Sequence, residues 1–202
     1  MITTSVSSSQ QSRQQLRQQI RHARRQLSPQ QQQHAAQQLS LRLQAIDRIQ
    51  HSQHIAVYLA NDGEIDPQPF IKWLWQQGKS VYLPVLHPFS KGHLLFLHYE
   101  ANTPMTTNRY HISEPQLDVR RVKPIADLDV ICTPLVAFDS EGQRLGMGGG
   151  YYDRTLTQWH QYRQGPYPIG IGHDCQYIPQ LPNETWDVPL PLIITPQYQF
   201  NE

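Results

Sequence analysis

Apolar positions change their spacing about a quarter of the way along the chain. Leu16, Ile20, Ala23 and Leu27 recur at helical spacing, as do Ala35, Leu39, Leu43 and Ile46, which predicts two amphipathic helices. The first stripe leaves the arginines of that segment to the other faces. Between the two, Ser28-Pro29-Gln30-Gln31 has the order of a helix start. Ser28 is the expected N-cap, Pro29 the first helical residue and Gln31 the reciprocal partner of a capping box. Short apolar runs then take over, at residues 55–60, 81–85, 94–99, 129–136, 168–171 and 190–195. Such runs suit strands covered on both faces. A helix opened by Asp66-Pro67 and stopped by Gly78 separates the first two, with Phe70, Trp73 and Leu74 inward. Another helix is expected over 151–159.

Strands alternating with helices predict an α/β domain with a mostly parallel sheet. The run 94–99, set between loops rich in His, Pro and Thr, is the expected exception, an antiparallel hairpin or edge. At 202 residues one domain suffices, spanning 12–202. The polar, low-complexity stretch 1–11 has nothing to bury and is expected to be a disordered tail.

Charge and composition narrow the functional classes. The formal net charge is +1, so the overall field marks the chain as neither a nucleic-acid nor a membrane binder. Basic residues nonetheless gather early, at Arg13, Arg17, Arg21, Arg24, Arg25, Arg42 and Arg48, and a basic helix is most often a solvated face. Cys132 and Cys175 are too few for a disulfide scaffold, and Cys132 reads as a buried small hydrophobe. The histidines have no zinc-type spacing; His173-Asp174, after a strand, reads as structural. No run nears the roughly 18 apolar residues of a membrane span, and the first eleven residues lack the apolar core of a secretory signal. A cytoplasmic monomer is the expectation.

Three stretches carry chemistry. Gly146, Gly148, Gly149 and Gly150 lie between a strand and a helix in RLGMGGGYYDR, residues 144–154. Glycines there let backbone N–H groups approach an anion. Arg144 adds full charge, Tyr151 and Tyr152 offer flat faces for a planar ring, and Asp153 can hold magnesium or cap the helix. The spacing is neither the Rossmann nor the Walker pattern. The second stretch, NDGEID at 61–66, follows the first strand, where open α/β sheets bind ligands. Glu64 there is a candidate acceptor for a pterin-like ring or a base, or else part of a solvated turn, and Asp66 reads as a helix cap. The third is the basic helix, whose Arg13 and Arg17 stand one turn apart, a spacing that can clamp a polyphosphate.

In this order the stretches resemble the 5-formyltetrahydrofolate cyclo-ligase family. The resemblance rests on Arg13-Gln-Gln-Leu16-Arg17, Glu64-Ile65-Asp66 and the segment Arg144 to Asp153. It extends to Asp187-Val188-Pro189 with Ile193-Ile194-Thr195. It implies a three-layer α/β/α sandwich related to the sugar-phosphate isomerase and CoA-transferase group. The implied reaction closes 5-formyltetrahydrofolate to 5,10-methenyltetrahydrofolate with ATP and magnesium, through a phosphorylated formyl group. Carried over, Arg13, Gln14, Gln15, Leu16 and Arg17 would contact ATP, with Arg144, Leu145, Gly146, Met147, Gly148, Gly149, Gly150, Tyr151 and Tyr152. Leu59, Glu64 and residues 147–151 would line the folate site. Asp153 and Asp187 would bind magnesium, and no acid or base is implied. The chain departs from the pattern at Met147 and Gly149, where many members carry Arg and Lys. An isomerase-like or acyl-transfer reading of the same fold would need no ATP. It would want a carboxylate nucleophile or lysine base beside the Gly-rich turn, and none stands there. A non-catalytic RNA-binding module lacks the aromatic–basic signature.

Overall fold

A computed structural model describes residues 8–182, 184 and 187–201. Most of the expected tail therefore lies outside the described residues, and the first helix already begins at Ser8. Helices α1 (Ser8–Arg25), α2 (Pro29–Gln44) and α3 (Asp47–His51) precede strand β1 (His54–Ala56). Helix α4 (Gln68–Gln76) leads into the hairpin of β2 (Ser80–Leu86) and β3 (Leu94–Tyr99). A ribbon of β4 (Met105–Thr107) and β5 (Ser113–Pro115) follows, then β6 (Val122–Lys123) and β7 (Val130–Pro134). A second ribbon pairs β8 (Ala137–Phe138) with β9 (Arg144–Leu145). Helices α5 (Tyr151–Thr155) and α6 (Thr157–Tyr162) precede β10 (Tyr167–Ile171), β11 (Leu192–Ile194) and β12 (Gln199–Phe200).

Eight strands form one sheet in the order β12-β11-β10-β7-β1-β2-β3-β6. The centre, β11-β10-β7-β1-β2, is parallel throughout, and β12, β3 and β6 pair antiparallel at the flanks. The α/β fold with a mostly parallel centre is thus as predicted, and 94–99 is the antiparallel member. Strand alternation divides the core in two. Ile55, Val81, Val130, Cys132, Ile169 and Ile194 meet α2 and α4 through Leu39, Leu43, Phe70, Ile71 and Leu74. Ala56, Tyr82, Ile131 and Ile193 face the other way, toward Leu156, Leu128 and Leu190. Both faces are covered, which is why the strands read as continuous apolar runs. No helix among the described residues is long and apolar enough to cross a membrane.

Local chemistry explains the element ends. The capping box forms: Gln31 N–H donates to Ser28 Oγ at 3.3 Å, and Ser28 N–H donates to Gln31 Oε1 at 2.8 Å. Asp66 accepts from Gln68 N–H at 3.0 Å, and Gly78, at φ +69°, ends α4. Two expectations need correction. The helix over 151–159 is two short helices, broken at Leu156 (φ −92°, ψ 3°), whose side chain is fully buried. The first helix does not send its arginines to the other faces. Arg13 and Arg24 are buried along with Ile20, and Leu16 and Ile20 pack on Val136, Ala137, Leu145 and Leu181. That inner face meets the β8–β9 ribbon, whose surroundings supply carboxylates and carbonyls for guanidinium groups.

Candidate active site

The chain steps across the sheet in opposite directions from β1, to β2 on one side and to β7, β10 and β11 on the other. Helix α4 packs on one face and the Leu156 corner on the other. Open α/β sheets hold ligands outside the C-terminal strand ends at such a reversal. The segments that leave β1 and β7 there are the NDGEID turn and, beyond the β8–β9 ribbon, the Gly-rich turn.

The NDGEID turn is locked. Asp62 (φ +54°) and Gly63 (φ +75°) both take left-handed backbone, and Glu64 N–H donates to Asn61 O at 3.0 Å. Glu64 Oε2 accepts from Asn61 N–H at 3.1 Å. Three arginines of α1 converge on Asp62. Arg21 Nε donates at 2.7 Å and Arg24 Nη2 at 3.0 Å, and Arg25 Nε also donates. Arg24, with no exposed surface, also donates from Nε to the Asp62 carbonyl at 2.8 Å. Burial opposes the charge on Asp62, yet the bonds from Arg21 and Arg25 hold its carboxyl below the usual value.

Glu64 stands beside this clamp, 3.8 Å from Arg24 Nη2. Burial pushes its carboxyl up to about 7, against the pull of Arg24 and the Asn61 N–H. Burial also raises the phenols of Tyr58 and Tyr152, and both feel the charge of Glu64. Leu59 is half-buried against the core. His173 is buried, and its ring is lowered to about 4 by burial first and then by Arg24, so it is neutral at ordinary pH. Its backbone N–H donates to Gln176 Oε1 at 2.7 Å, and Gln176 Nε2 donates to the Leu135 and Val136 carbonyls. That supports a structural His173.

The Gly-rich turn is open by contrast: Met147, Gly148 and Gly149 are exposed. Arg17 Nε donates to Gly146 O at 2.8 Å, which seats the basic helix on the turn. Burial, and then neighbouring Arg13, lower the Arg17 pKa, so a nearby anion would relieve it. Arg13 and Arg144 already have carboxylate partners. Arg13 donates to both Asp187 oxygens, at 2.5 and 3.0 Å, and to Pro182 O. Arg144, buried, donates to Asp153 Oδ1 at 2.5 Å and to Val188 O. Both arginines are engaged with protein acceptors. Leu16 and Leu145 spend their side chains in the core, and Gln14 and Gln15 are exposed.

The same pairs bear on magnesium. Among the described residues no group of three or more His, Cys, Asp or Glu gathers as for a closed metal cage. Magnesium bound with phosphates takes only one or two carboxylates, and the residues present fit that demand. Asp153 commits one oxygen to Arg144, whereas Asp187 gives both to Arg13. Asp153 is therefore the readier ligand.

Sequence reasoning missed Asp62 and Arg24, whose partnership links positions 38 residues apart. It also missed Arg109 and Tyr110. The β4–β5 loop carries them to Tyr151, whose hydroxyl accepts from Arg109 Nη2 at 2.8 Å and lies 3.1 Å from Tyr110 Oη. A 680 Å³ cleft lined by Arg48, Trp159, Arg163 and Tyr167 shares none of these residues.

Comparison with known proteins identifies the family of the whole chain. The model of the 5-formyltetrahydrofolate cyclo-ligase family matches residues 9–196. The 5-formyltetrahydrofolate cyclo-ligase of Escherichia coli (strain K12) is 54% identical over 176 residues, covering 87% of this chain and 96% of that protein. That of Haemophilus influenzae is 51% identical over 161 residues, 79% and 84% of the two chains. Among solved structures, Aquifex aeolicus 5,10-methenyltetrahydrofolate synthetase aligns with a TM-score of 0.79 at 26% identity, over 94% of this chain and 92% of that one. The Mycoplasma pneumoniae synthetase gives 0.71 at 28%, over 91% and 98%.

Proposed function

This chain belongs to the 5-formyltetrahydrofolate cyclo-ligase family, whose activity converts 5-formyltetrahydrofolate to 5,10-methenyltetrahydrofolate, and we propose that it drives that closure with ATP through a phosphorylated formyl group. The observation that carries the reading is the seating of Arg17 on Gly146. It puts a guanidinium that enters no ion pair among the described residues beside exposed backbone. Phosphoryl transfer asks mainly for positioning and charge neutralisation, and those are what this turn offers.

The phosphate chain lies along residues 146–150 with Arg17, and the reduced pterin stands between Leu59, Glu64 and the face of Tyr151. A carboxyl poised about 7 presents an acceptor and, when protonated, a donor to the ring edge. The formyl oxygen attacks the γ-phosphorus, the bond to the β,γ-bridging oxygen breaks, and ADP leaves. The N10 lone pair then attacks the activated formyl carbon, N10 loses its proton, and the carbon–oxygen bond breaks to release phosphate. Magnesium, when bound, supplies charge neutralisation on the phosphates; Asp153, with Asp187, would hold it. Arg13 and Arg144 act in this reading by fixing those two carboxylates, and residues 12–202 form one catalytic unit that works as a cytoplasmic monomer.

Absorbance of the methenyl product, followed with and without Mg-ATP, tests the reading. Product only with Mg-ATP, and label from an ¹⁸O-formyl substrate in the released phosphate, is expected. Folded protein that forms product without ATP, or leaves the label out of phosphate, overturns it.

A further inference from the structure

Three arginines border the Gly-rich turn, and among the described residues Arg17, Arg109 and Arg154 enter no ion pair. They hold backbone and phenol instead. Arg17 donates to Gly146 O; Arg154 donates to Gly149 O and, at 2.8 Å, to Gly92 O. Arg109 donates to the Tyr151 hydroxyl, and the charge of Lys91 reaches Tyr110.

Arg109 is presented by an organised loop. Asn108 Oδ1 accepts from the N–H groups of Tyr110 and Ile112 at 2.9 and 3.2 Å. The nearby carboxylate of Glu114 is turned to Asn108 Nδ2 and Leu86 N–H. Tyr151, which Arg109 holds, lies over Gly149: a Cβ there would stand 2.8 Å from its Cδ2 and Cε2. Gly149 itself has no left-handed backbone. Its lack of a side chain therefore makes room for the ring, whose hydroxyl holds the Arg109 guanidinium.

We propose that Arg109, delivered through Tyr151, binds the phosphate chain of the nucleotide in the place a basic side chain at position 149 would occupy. The inference rests on the ATP reading above. A charged donor on an organised loop, with its own carboxylate neighbour engaged elsewhere, is suited to an incoming oxyanion. The other oxyanions of this reaction are the glutamate carboxylates of the folate, and the test separates the two.

Because Arg109 is exposed, Arg109→Ala should fold normally. In steady-state kinetics with mono- and polyglutamyl 5-formyltetrahydrofolate, its apparent KM for ATP should rise about tenfold, the size of one charge-assisted hydrogen bond. The KM for both folates should stay put. Adding Gly149→Lys to Arg109→Ala, where Tyr151 is no longer tethered, should bring the KM for ATP back down. An unchanged KM for ATP in an ATP-dependent wild type overturns this inference and leaves the ATP reading standing. A rise confined to the polyglutamyl substrate reassigns Arg109 to the glutamate tail, and failure of Gly149→Lys to rescue refutes the spatial substitution. A wild type that turns over without ATP removes both.

Discussion

The two turns at the sheet's switch point are built on opposite principles. The NDGEID turn is clamped by three arginines on one carboxylate, and its second carboxyl, Glu64, is largely buried. The Gly-rich turn is exposed and held by arginines through carbonyls, and among the described residues Arg17 and Arg154 form no ion pair with Asp or Glu. One turn invests its charges in shape; in the proposed reading the other keeps them for a ligand. A neutral, planar ring suits the first and a polyanion the second. Arginine in the same helix serves both ends, Arg21 to Arg25 structurally and Arg17 at the open turn.

The largest expected effect comes from undoing the clamp. Arg24→Ala leaves a cavity and removes the buried partner of Asp62 and Glu64, which should cost about 3–5 kcal/mol, read from urea unfolding midpoints. A loss below about 1 kcal/mol would show that Arg21 and Arg25 hold the turn without it.

Glu64 gives the next effect, and it depends on pH. The folded protein ionises it at about 7 against an ordinary 4.5. Between those values the folded state keeps a proton that the unfolded chain has released, so stability falls as pH rises from 4.5 to 7 and then levels off. The full span corresponds to roughly 3 kcal/mol, less for the carboxyl's residual exposure. Glu64→Gln should flatten that part of the stability–pH curve. An unchanged slope would place the titration elsewhere.

On the open side, Asp153→Asn should lower kcat about a hundredfold, since metal charge stabilisation is worth several kcal/mol, with folate binding kept. Unaltered turnover would mean Asp153 serves only Arg144. The smallest effect belongs to the most exposed member of the clamp: Arg25→Ala should cost under about 1 kcal/mol, as a half-exposed ion pair, and a loss as large as that of Arg24→Ala would erase the distinction between them.

What sequence made legible follows the range of the interactions. The capping box, the Asp66 cap and the strand runs depend on residues a few positions apart, and they formed. So did the mostly parallel sheet, because two-sided burial leaves its mark in every run. Arg24 was opaque because a charged residue reads as solvent-exposed, and only a carboxylate 38 positions away makes its burial tolerable. Arg13 and Arg144 stood in the expected neighbourhood, yet nothing local shows that Asp187 and Asp153 occupy them. The β4–β5 ribbon was read as loop because its strands are three residues long, exposed or half-buried except for Pro115, and so carry little periodic signal. The strand at 55–60 proved shorter because the chain leaves β1 after Ala56 and runs through buried Tyr58 into the NDGEID turn.

The division between the turns is tested most directly by equilibrium titration of ATP and of 5-formyltetrahydrofolate into Arg17→Ala and Glu64→Gln. Arg17→Ala should bind ATP about tenfold more weakly and folate normally; Glu64→Gln should do the reverse. Both variants weakening the same ligand, and only that one, would contradict the assignment of one turn to each.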